Sequence, residues 1–460
     1  MWCGVRGSSS RVEGSREERL RHRNRGGTVG AVTAERPSEH SERRVIGNVL
    51  RGSIGNLIEW YDWYAYTAFT IYFASSFFPK SSENLQWLNT AAIFAVGFFM
   101  RPLGGWLLGW YADRNGRRAA LTLSVTMMAG GSLLITLTPG YATIGVAAPV
   151  LLVLARLLQG LSVGGEYATS ATYLSEVATP GKRGFYSSFQ YVTLTAGQLL
   201  ALGLQIVLLQ ILSKEQMYSW GWRIAFAVGA LGALVVMWLR RTMDESASYK
   251  AQEKSGDRGT IRALLKHPRE VGIVVGLTLG GTLAFYTYTT YMQKFMVGTS
   301  KIDASTVAWI NFLALLVFVL LQPIAGRLSD RVGRRPLLLF FGIAGTVCTV
   351  PLLTVLAGTR NPYAAFCLMV FALIIVTGYT SINAIVKAEL FPTKIRALGV
   401  GLPYALTVAI FGGTAEFIAL GLKQIGLESL FYWYVSGCIL ISLVVYWTMR
   451  ETSAESTLET

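Results

Sequence analysis

Apolar runs long enough to cross a bilayer core as helix recur along the chain, with short polar stretches between them. Six lie in the first half, at residues 45–78, 88–111, 119–138, 148–177, 184–212 and 220–241. Six more lie at 269–297, 306–328, 336–357, 363–391, 397–422 and 429–449. Such runs are expected to be helices, because lipid offers the backbone no hydrogen-bonding partner. Within the first run, residues 63–78 would make only about 24 Å of helix, short of the roughly 30 Å core. The first helix must therefore begin earlier, which places Glu59 and Asp62 inside it. The expected fold is all-α and integral to the membrane, with twelve transmembrane helices in two pseudo-symmetric six-helix bundles.

Polar stretches divide the chain further. Residues 1–44 hold ten Arg and six Glu and no apolar core, and are expected to be a disordered basic cytoplasmic tail. Residues 45–241 would form the N-terminal bundle, 242–268 a charged cytoplasmic linker, 269–450 the C-terminal bundle and 451–460 a second tail. The net charge of +15 raises the question of nucleic acid, but the basic residues alternate by loop. Counting Arg240, Arg241, Arg269 and Arg327 at helix ends, the loops after the even-numbered helices carry 19 Lys and Arg, and the opposite loops, with Lys294, carry 6. That bias puts both termini in the cytoplasm, at a cell inner membrane, and argues for lipid and against nucleic acid as the partner.

Two charged turns mark the duplication. Gly109, Asp113, Arg114, Gly116, Arg117 and Arg118 are matched, 217 residues later, by Gly326, Asp330, Arg331, Gly333, Arg334 and Arg335. A second pair of turns, around Glu176, Pro180, Lys182 and Arg183 and around Glu389, Pro392, Lys394 and Arg396, repeats more loosely. Internal repeats of six helices are a common architecture of secondary transporters. Asp113 and Asp330 can face the N–H groups of a neighbouring helix N-terminus, or serve as topology anchors in tight turns where Gly116 and Gly333 supply positive φ.

The charges inside the apolar runs carry the chemistry, since they are expensive there and usually functional. Glu59 and Asp62 share a helix face and are candidates to take and release protons, or to pair with Arg elsewhere. Arg101 and Arg156 fall roughly 20 and 12 Å from the outer ends of their helices. A guanidinium grips a carboxylate with two parallel hydrogen bonds, so two of them suit a dicarboxylate. Neither repeats, because the positions 217 residues on are Phe318 and Leu373. The alternative for Arg156 is an ion pair with Glu166 or another carboxylate. Gln190, Tyr191, Tyr288 and Tyr291 are further candidates for the substrate site. Lys294 is expected to snorkel at the outer interface, Lys387 and Glu389 to belong with the cytoplasmic gate, and Gly160 and Gly164 to serve packing. Glu416 stands alone in its helix without an assignable role. The cysteines show no CxxC spacing and no metal cluster is apparent, so no disulfide, metal or cofactor is expected.

The repeated turn resembles the signature loop of the major facilitator superfamily, and Arg156–Gly160 (RLLQG) resembles its helix 4 motif. The stretches 56–64 (NLIEWYDWY), 99–105 (FMRPLGG), 155–177, 185–202, 285–294 and 387–401 are similar to the metabolite–proton symporter branch. The resemblance covers about residues 45–450 and omits the basic tail. It implies alternating access, cytoplasmic latches at the two turns together with Glu176 and Glu389, and acidic residues in helix 1 that couple to protons. It also implies import of α-ketoglutarate or a related dicarboxylate together with protons, by a protein that works as a monomer. No Gly-x-x-x-x-Gly-Lys-Ser/Thr loop points to an ATP-driven pump, and no catalytic cluster points to an enzyme. The same machine with citrate, an aromatic acid, proline or betaine as cargo stays open, as does a non-transporting membrane sensor.

Overall fold

The computed structural model of the chain describes the backbone of residues 39–115, 117–164, 181–241, 264–392 and 395–453. It describes side chains from residue 55 onward, except at 112–113, 117–118, 121 and 239–241. The expectations for the tail before residue 39, for Glu166 and Glu176, for most of the 242–268 linker and for Lys394 lie outside these residues. So do those for Gly116 and for the side chains of Asp113, Arg117 and Arg118.

The described chain is a succession of helices: α1 (Glu39–Phe77), α2 (Glu83–Asn115), α3 (Arg117–Leu137), α4 (Ala147–Val163), α5 (Arg183–Ile211) and α6 (Trp222–Arg241). After the polar stretch come α7 (Pro268–Gly298), α8 (Ala304–Val332), α9 (Arg335–Gly358), α10 (Pro362–Leu390), α11 (Arg396–Gln424) and α12 (Glu428–Thr448). Among the described residues, nine helices are long and apolar enough to cross a membrane, and two more, Thr122–Leu137 and Ala147–Val163, are apolar but shorter. The charged turns are smaller than expected. α2 continues through Asp113 to Asn115 and α8 through Asp330 to Val332, because Arg, Ala and Leu there are good helix formers. The second turn then closes at Gly333, whose φ of +94° favours glycine.

The distribution of side chains is the reverse of that in a water-soluble protein. Trp106, Trp238, Val347, Ile324 and Leu137 are each more than 60% exposed, while Asp62, Arg156, Gln159, Gln205, Lys294 and Lys387 are buried to within 1%. Apolar surface outside and polar groups inside are what a lipid solvent selects.

Among the described residues, α7, α10 and α11 depart from regular geometry within their length, and a further π-helical turn, Met217–Gly221, leads into α6. α7 contains a π-helical turn at Thr287–Tyr291 and α11 one at Val408–Gly412. α10 breaks between Thr380 and Asn383. Such irregularities commonly mark functional positions in otherwise regular helices.

Small residues set the closest packing. A Cβ on Gly160 would collide with the carbonyl of Gly97, one on Gly164 with the carbonyl of Arg101, and one on Gly104 with Leu161. α2 and α4 thus touch backbone to backbone, which brings Arg101 and Arg156 onto neighbouring surfaces. Replacing Gly160 with Leu is expected to force these helices apart, at the 1–3 kcal/mol typical of overpacking or more. The thermal midpoint of the purified protein in detergent should fall by several degrees. An unchanged midpoint would mean that this contact is not tight.

Candidate functional site

α1 supplies an aromatic spine, Trp60, Trp63, Tyr64 and Tyr66, all buried. Two guanidinium groups lie against one member of it. The Arg101 Cζ is 4.0 Å from the centroid of the Trp63 ring, and the Arg156 Cζ is 4.1 Å from it. The two cations are therefore at most about 8 Å apart. Phe98 lies 4.0 Å from Arg101, and Tyr66 lies 4.4 Å from Arg156. Ring faces attract a cation but leave its N–H groups unused. Nε and Nη2 of both arginines have no hydrogen-bond acceptor among the described residues. Two buried guanidinium groups with free donors form a site for an anion.

Arg156 is also linked to Asp62, through a side chain that spacing and charge do not single out. Its Nη1 donates to Gln159 Oε1 at 2.7 Å, and Gln159 Nε2 donates to Asp62 Oδ2 at 2.6 Å. Ser132 of α3 donates to Asp62 Oδ1. Gly229 of α6 leaves room for that same oxygen, since a Cβ there would overlap it. Asp62 is thus enclosed by α3, α4 and α6, and among the described residues its hydrogen-bonded link to Arg156 runs through Gln159. Glu59 is buried one turn before it. Gln159 sits in the RLLQG motif three residues after Arg156, which places both on one helix face. Ser132 has no comparable signal.

The other expected site residues divide. Gln190 is buried, and Tyr191 packs edge-on against Phe285 of α7 at 5.2 Å. Tyr288 and Tyr291 are turned away from the arginines. Tyr288 donates to Thr349 of α9 at 3.0 Å, and Tyr291 donates to Glu428 of α12 at 3.3 Å. Their neighbour Tyr286 takes the expected place, 5.1 Å from Phe98. The π turn directly after Tyr286 shifts the helical phase, so regular spacing does not give the faces that these tyrosines occupy. Lys294 is also corrected. Instead of snorkelling at an interface it is 1% exposed and pairs with Glu416 at 2.7 Å. Lys387 is buried, with its Nζ 3.7 Å from the centroid of the Tyr404 ring.

At one end of the molecule Asp330 joins α8 to α5. Its two oxygens accept from the backbone N–H of Gly184 at 2.7 Å and of Phe185 at 2.9 Å. These are among the free amides at the start of α5, where the helix dipole also favours negative charge. Arg334 Nη1 donates to Asp330 at 2.8 Å, and its Nη2 lies 3.6 Å from Glu389 at the end of α10. Gly326 and Gly184 make this approach sterically feasible, since a Cβ on either would stand 2.6 Å from the other's carbonyl oxygen. Arg331 is exposed, and Arg335 donates to the Trp447 carbonyl at 2.6 Å. In the first copy Gly109 is exposed, and Arg114 lies 4.2 Å from the Trp110 ring.

The segment after α12 adds a clamp. Glu451 accepts from the N–H groups of Arg334 at 2.8 Å and Arg335 at 2.9 Å, and Thr452 donates to Glu389 at 2.6 Å. Partial burial pushes the Glu451 carboxyl up, but these backbone donors outweigh it and hold the group below the ordinary glutamate range. At the opposite end, Asn84 of α2 donates to Gln424 of α11 at 2.6 Å, and Gln205 of α5 accepts from Gln293 of α7 at 3.1 Å. Helices from before and after the polar stretch 242–263 therefore touch at both ends.

The family model described as Major Facilitator Superfamily matches residues 52–402 and 284–460. The Escherichia coli (strain K12) alpha-ketoglutarate permease is 51% identical over 415 residues, which cover 90% of this chain and 96% of that protein. The Klebsiella pneumoniae citrate-proton symporter is 34% identical, over 82% of this chain and 86% of its own length. Among solved structures, a partially occluded inward open conformation of the xylose transporter XylE from E. coli superimposes with a TM-score of 0.69. It is 18% identical and covers 88% of this chain and 98% of that one, a likeness of fold alone.

The charged end can be tested at two residues. Asp330→Asn removes the charge that faces the α5 N-terminus and Arg334. Spin labels at the exposed positions Tyr186 and Val332 should then shift toward longer distances, with about a tenfold change in population. An unchanged distance distribution would deny Asp330 a latching role. Because the folded pKa of Glu451 is depressed, its contribution is present above the ordinary carboxylate range and is lost as pH falls through the folded value. A spin label at Ser453 should stay immobile at neutral pH and gain mobility only in acid. In Glu451→Gln it should be mobile at both.

Proposed function

The chain belongs to the Major Facilitator Superfamily, and from that premise we propose that it is a proton-coupled symporter importing α-ketoglutarate or a closely related dicarboxylate by alternating access. The observation that carries this reading is the pair of buried guanidinium groups on the two α2- and α4-borne arginines, sharing Trp63. A five-carbon dicarboxylate places its carboxyl carbons about 5 Å apart, four zigzag bonds of about 1.5 Å. Arg101 and Arg156 can take one carboxylate each, in place of the hydrogen bonds they lack. The 51% identity to a protein named alpha-ketoglutarate permease supports the same substrate.

Asp62 is the proposed proton carrier. While ionised it draws on Arg156 through Gln159 and lowers the positive potential available to an anion. Once protonated it releases that potential to the substrate. Proton and dianion then each favour the other's binding, and the coupling is reciprocal by linkage. An inside-negative membrane resists anion entry by about 2.3 kcal/mol per net charge per 100 mV. Two protons per dianion remove that term, and Glu59 is the proposed second carrier.

Asp330, Arg334 and Glu389 form the proposed cytoplasmic latch, with Asp113 and Glu176 as its counterparts in the first half. Both termini are assigned to the cytoplasm, the protein to the inner membrane, and the working unit to the monomer. The halves 45–241 and 269–450 are the proposed rocking bodies.

Labelled α-ketoglutarate uptake into proteoliposomes should rise with an acidic exterior. Arg101→Lys keeps the charge but loses the planar fork, and should raise KM about tenfold or more. Asp62→Asn should weaken the response to the pH gradient, with Glu59 still carrying its proton, while preserving exchange of substrate for substrate. Uptake of citrate or proline in place of α-ketoglutarate would overturn the substrate assignment. An Asp62→Asn variant with the full wild-type response to the pH gradient would overturn the carrier.

A further inference from the structure

The transport reading leaves one buried charge pair unused. Lys294 of α7 and Glu416 of α11 meet at 2.7 Å, with side chains 1% and 5% exposed. The pair sits just beyond two irregular turns, three residues after the π turn of α7 and four after that of α11. Lys294 Nζ reaches across to the carbonyl of Thr67 on α1 at 3.4 Å, a long contact. Glu416 Oε2 is buried and has no hydrogen-bond donor among the described residues. Tyr66 lies within electrostatic reach of Glu416, and its ring is 4.4 Å from Arg156. The pair thus continues a ladder of cations and rings that runs from Arg101 over Trp63 to Arg156 and Tyr66.

We propose that Glu416 stands in for a substrate carboxylate: it occupies Lys294 while this end of the path is closed, and yields it to one carboxylate of the incoming dicarboxylate when the end opens. The inference rests on the dicarboxylate reading above and extends it to a second anion station. A buried ammonium must keep an anionic partner in every state, because breaking a buried pair from one side is far costlier than exchanging the partner. Opening this end must pull α7 away from α1, and the weak Thr67 contact yields first. Glu416 holds Lys294 through one oxygen and leaves the other without a donor among the described residues, so when the end opens, entering water solvates the released Glu416 carboxylate while the substrate carboxylate takes its place on Lys294. The exchange keeps the charge on Lys294 balanced throughout and hands the anion on toward Arg156. Lys294 is here a specificity residue for the anionic cargo, and Glu416 a positioning residue that acts through it.

The test is uptake of labelled α-ketoglutarate by the full chain, in right-side-out and inverted membrane vesicles. Lys294→Met strands the Glu416 charge and Glu416→Gln strands the Lys294 charge, and either can fail to fold, so the double variant Lys294→Met with Glu416→Met carries the test and Glu416→Gln, where it keeps the wild-type thermal midpoint, adds to it. The double variant should keep the wild-type thermal midpoint. Its KM should rise about tenfold or more for substrate presented from the Lys294 side, with KM from the other side unchanged. Glu416→Gln removes the competitor and should lower KM on the Lys294 side, an effect no structural clamp would give. Wild-type KM on both sides in the double variant, or a raised KM in Glu416→Gln, overturns the proposal and leaves the dicarboxylate reading standing. Absence of α-ketoglutarate uptake by the wild-type protein overturns that reading, and this proposal with it.

Discussion

The cost of burying charge in an apolar medium governs this molecule. Each charge held inside the helices needs something to face, and the partners chosen set the architecture. Trp63 offers its ring to two guanidinium groups within about 4 Å, which holds them by the quadrupole and leaves Nε and Nη2 of each without an acceptor among the described residues. Lys294 and Glu416 face each other. Asp62 faces a serine and a glutamine. The close α2–α4 contact, made by glycines, brings the two arginines to one ring. The polar interior therefore depends on the packing of small residues as much as on the charges themselves.

The same constraint explains how the site connects to its surroundings. Among the described residues, Gln159 links Asp62 to Arg156 by hydrogen bonds, so a change of charge at Asp62 reaches Arg156 along a short path. This is local electrostatics in a medium that screens little. At the far end, Asp330 joins two helices that belong to different parts of the sequence by meeting the amides that begin α5. The contact is strong because the first amides of α5 have no partner within their own helix and Asp330 brings them a full negative charge. It is also separable as a unit, since the same amides can turn to water when the end opens. Fixed charge met by free backbone N–H is a repeated device here, used again where Glu451 meets the amides of Arg334 and Arg335.

Irregular helix geometry divides the long helices into segments. The π turns in α7 and α11 fall between the arginine site and the Lys294–Glu416 pair. Each inserts a residue into the helical repeat and rotates the remainder of its helix. That rotation sends Tyr288 and Tyr291 toward α9 and α12 and leaves Tyr286 at the arginine site, so the breaks decide which polar side chains face which space.

Much of the fold was legible in the chain, because lipid permits so few backbone solutions that apolar runs of spanning length translate directly into helices. The glycine pair Gly160 and Gly164, the unrepeated arginines and the duplicated Asp330 turn could each be picked out by type and spacing. Partnership could not. Nothing local links Ser132 or Gln159 to Asp62, Lys294 to Glu416, or Asp330 to the start of α5, because these contacts join helices far apart in sequence. The partners of Tyr288 and Tyr291 were hidden for a related reason, since a π turn shifts phase without any change in hydropathy. Local pattern is enough to say which residues are helical and which charges are costly. What each costly charge meets is settled only once the helices are packed, because pairing energies inside a membrane depend on distance and orientation between helices, which no local pattern encodes.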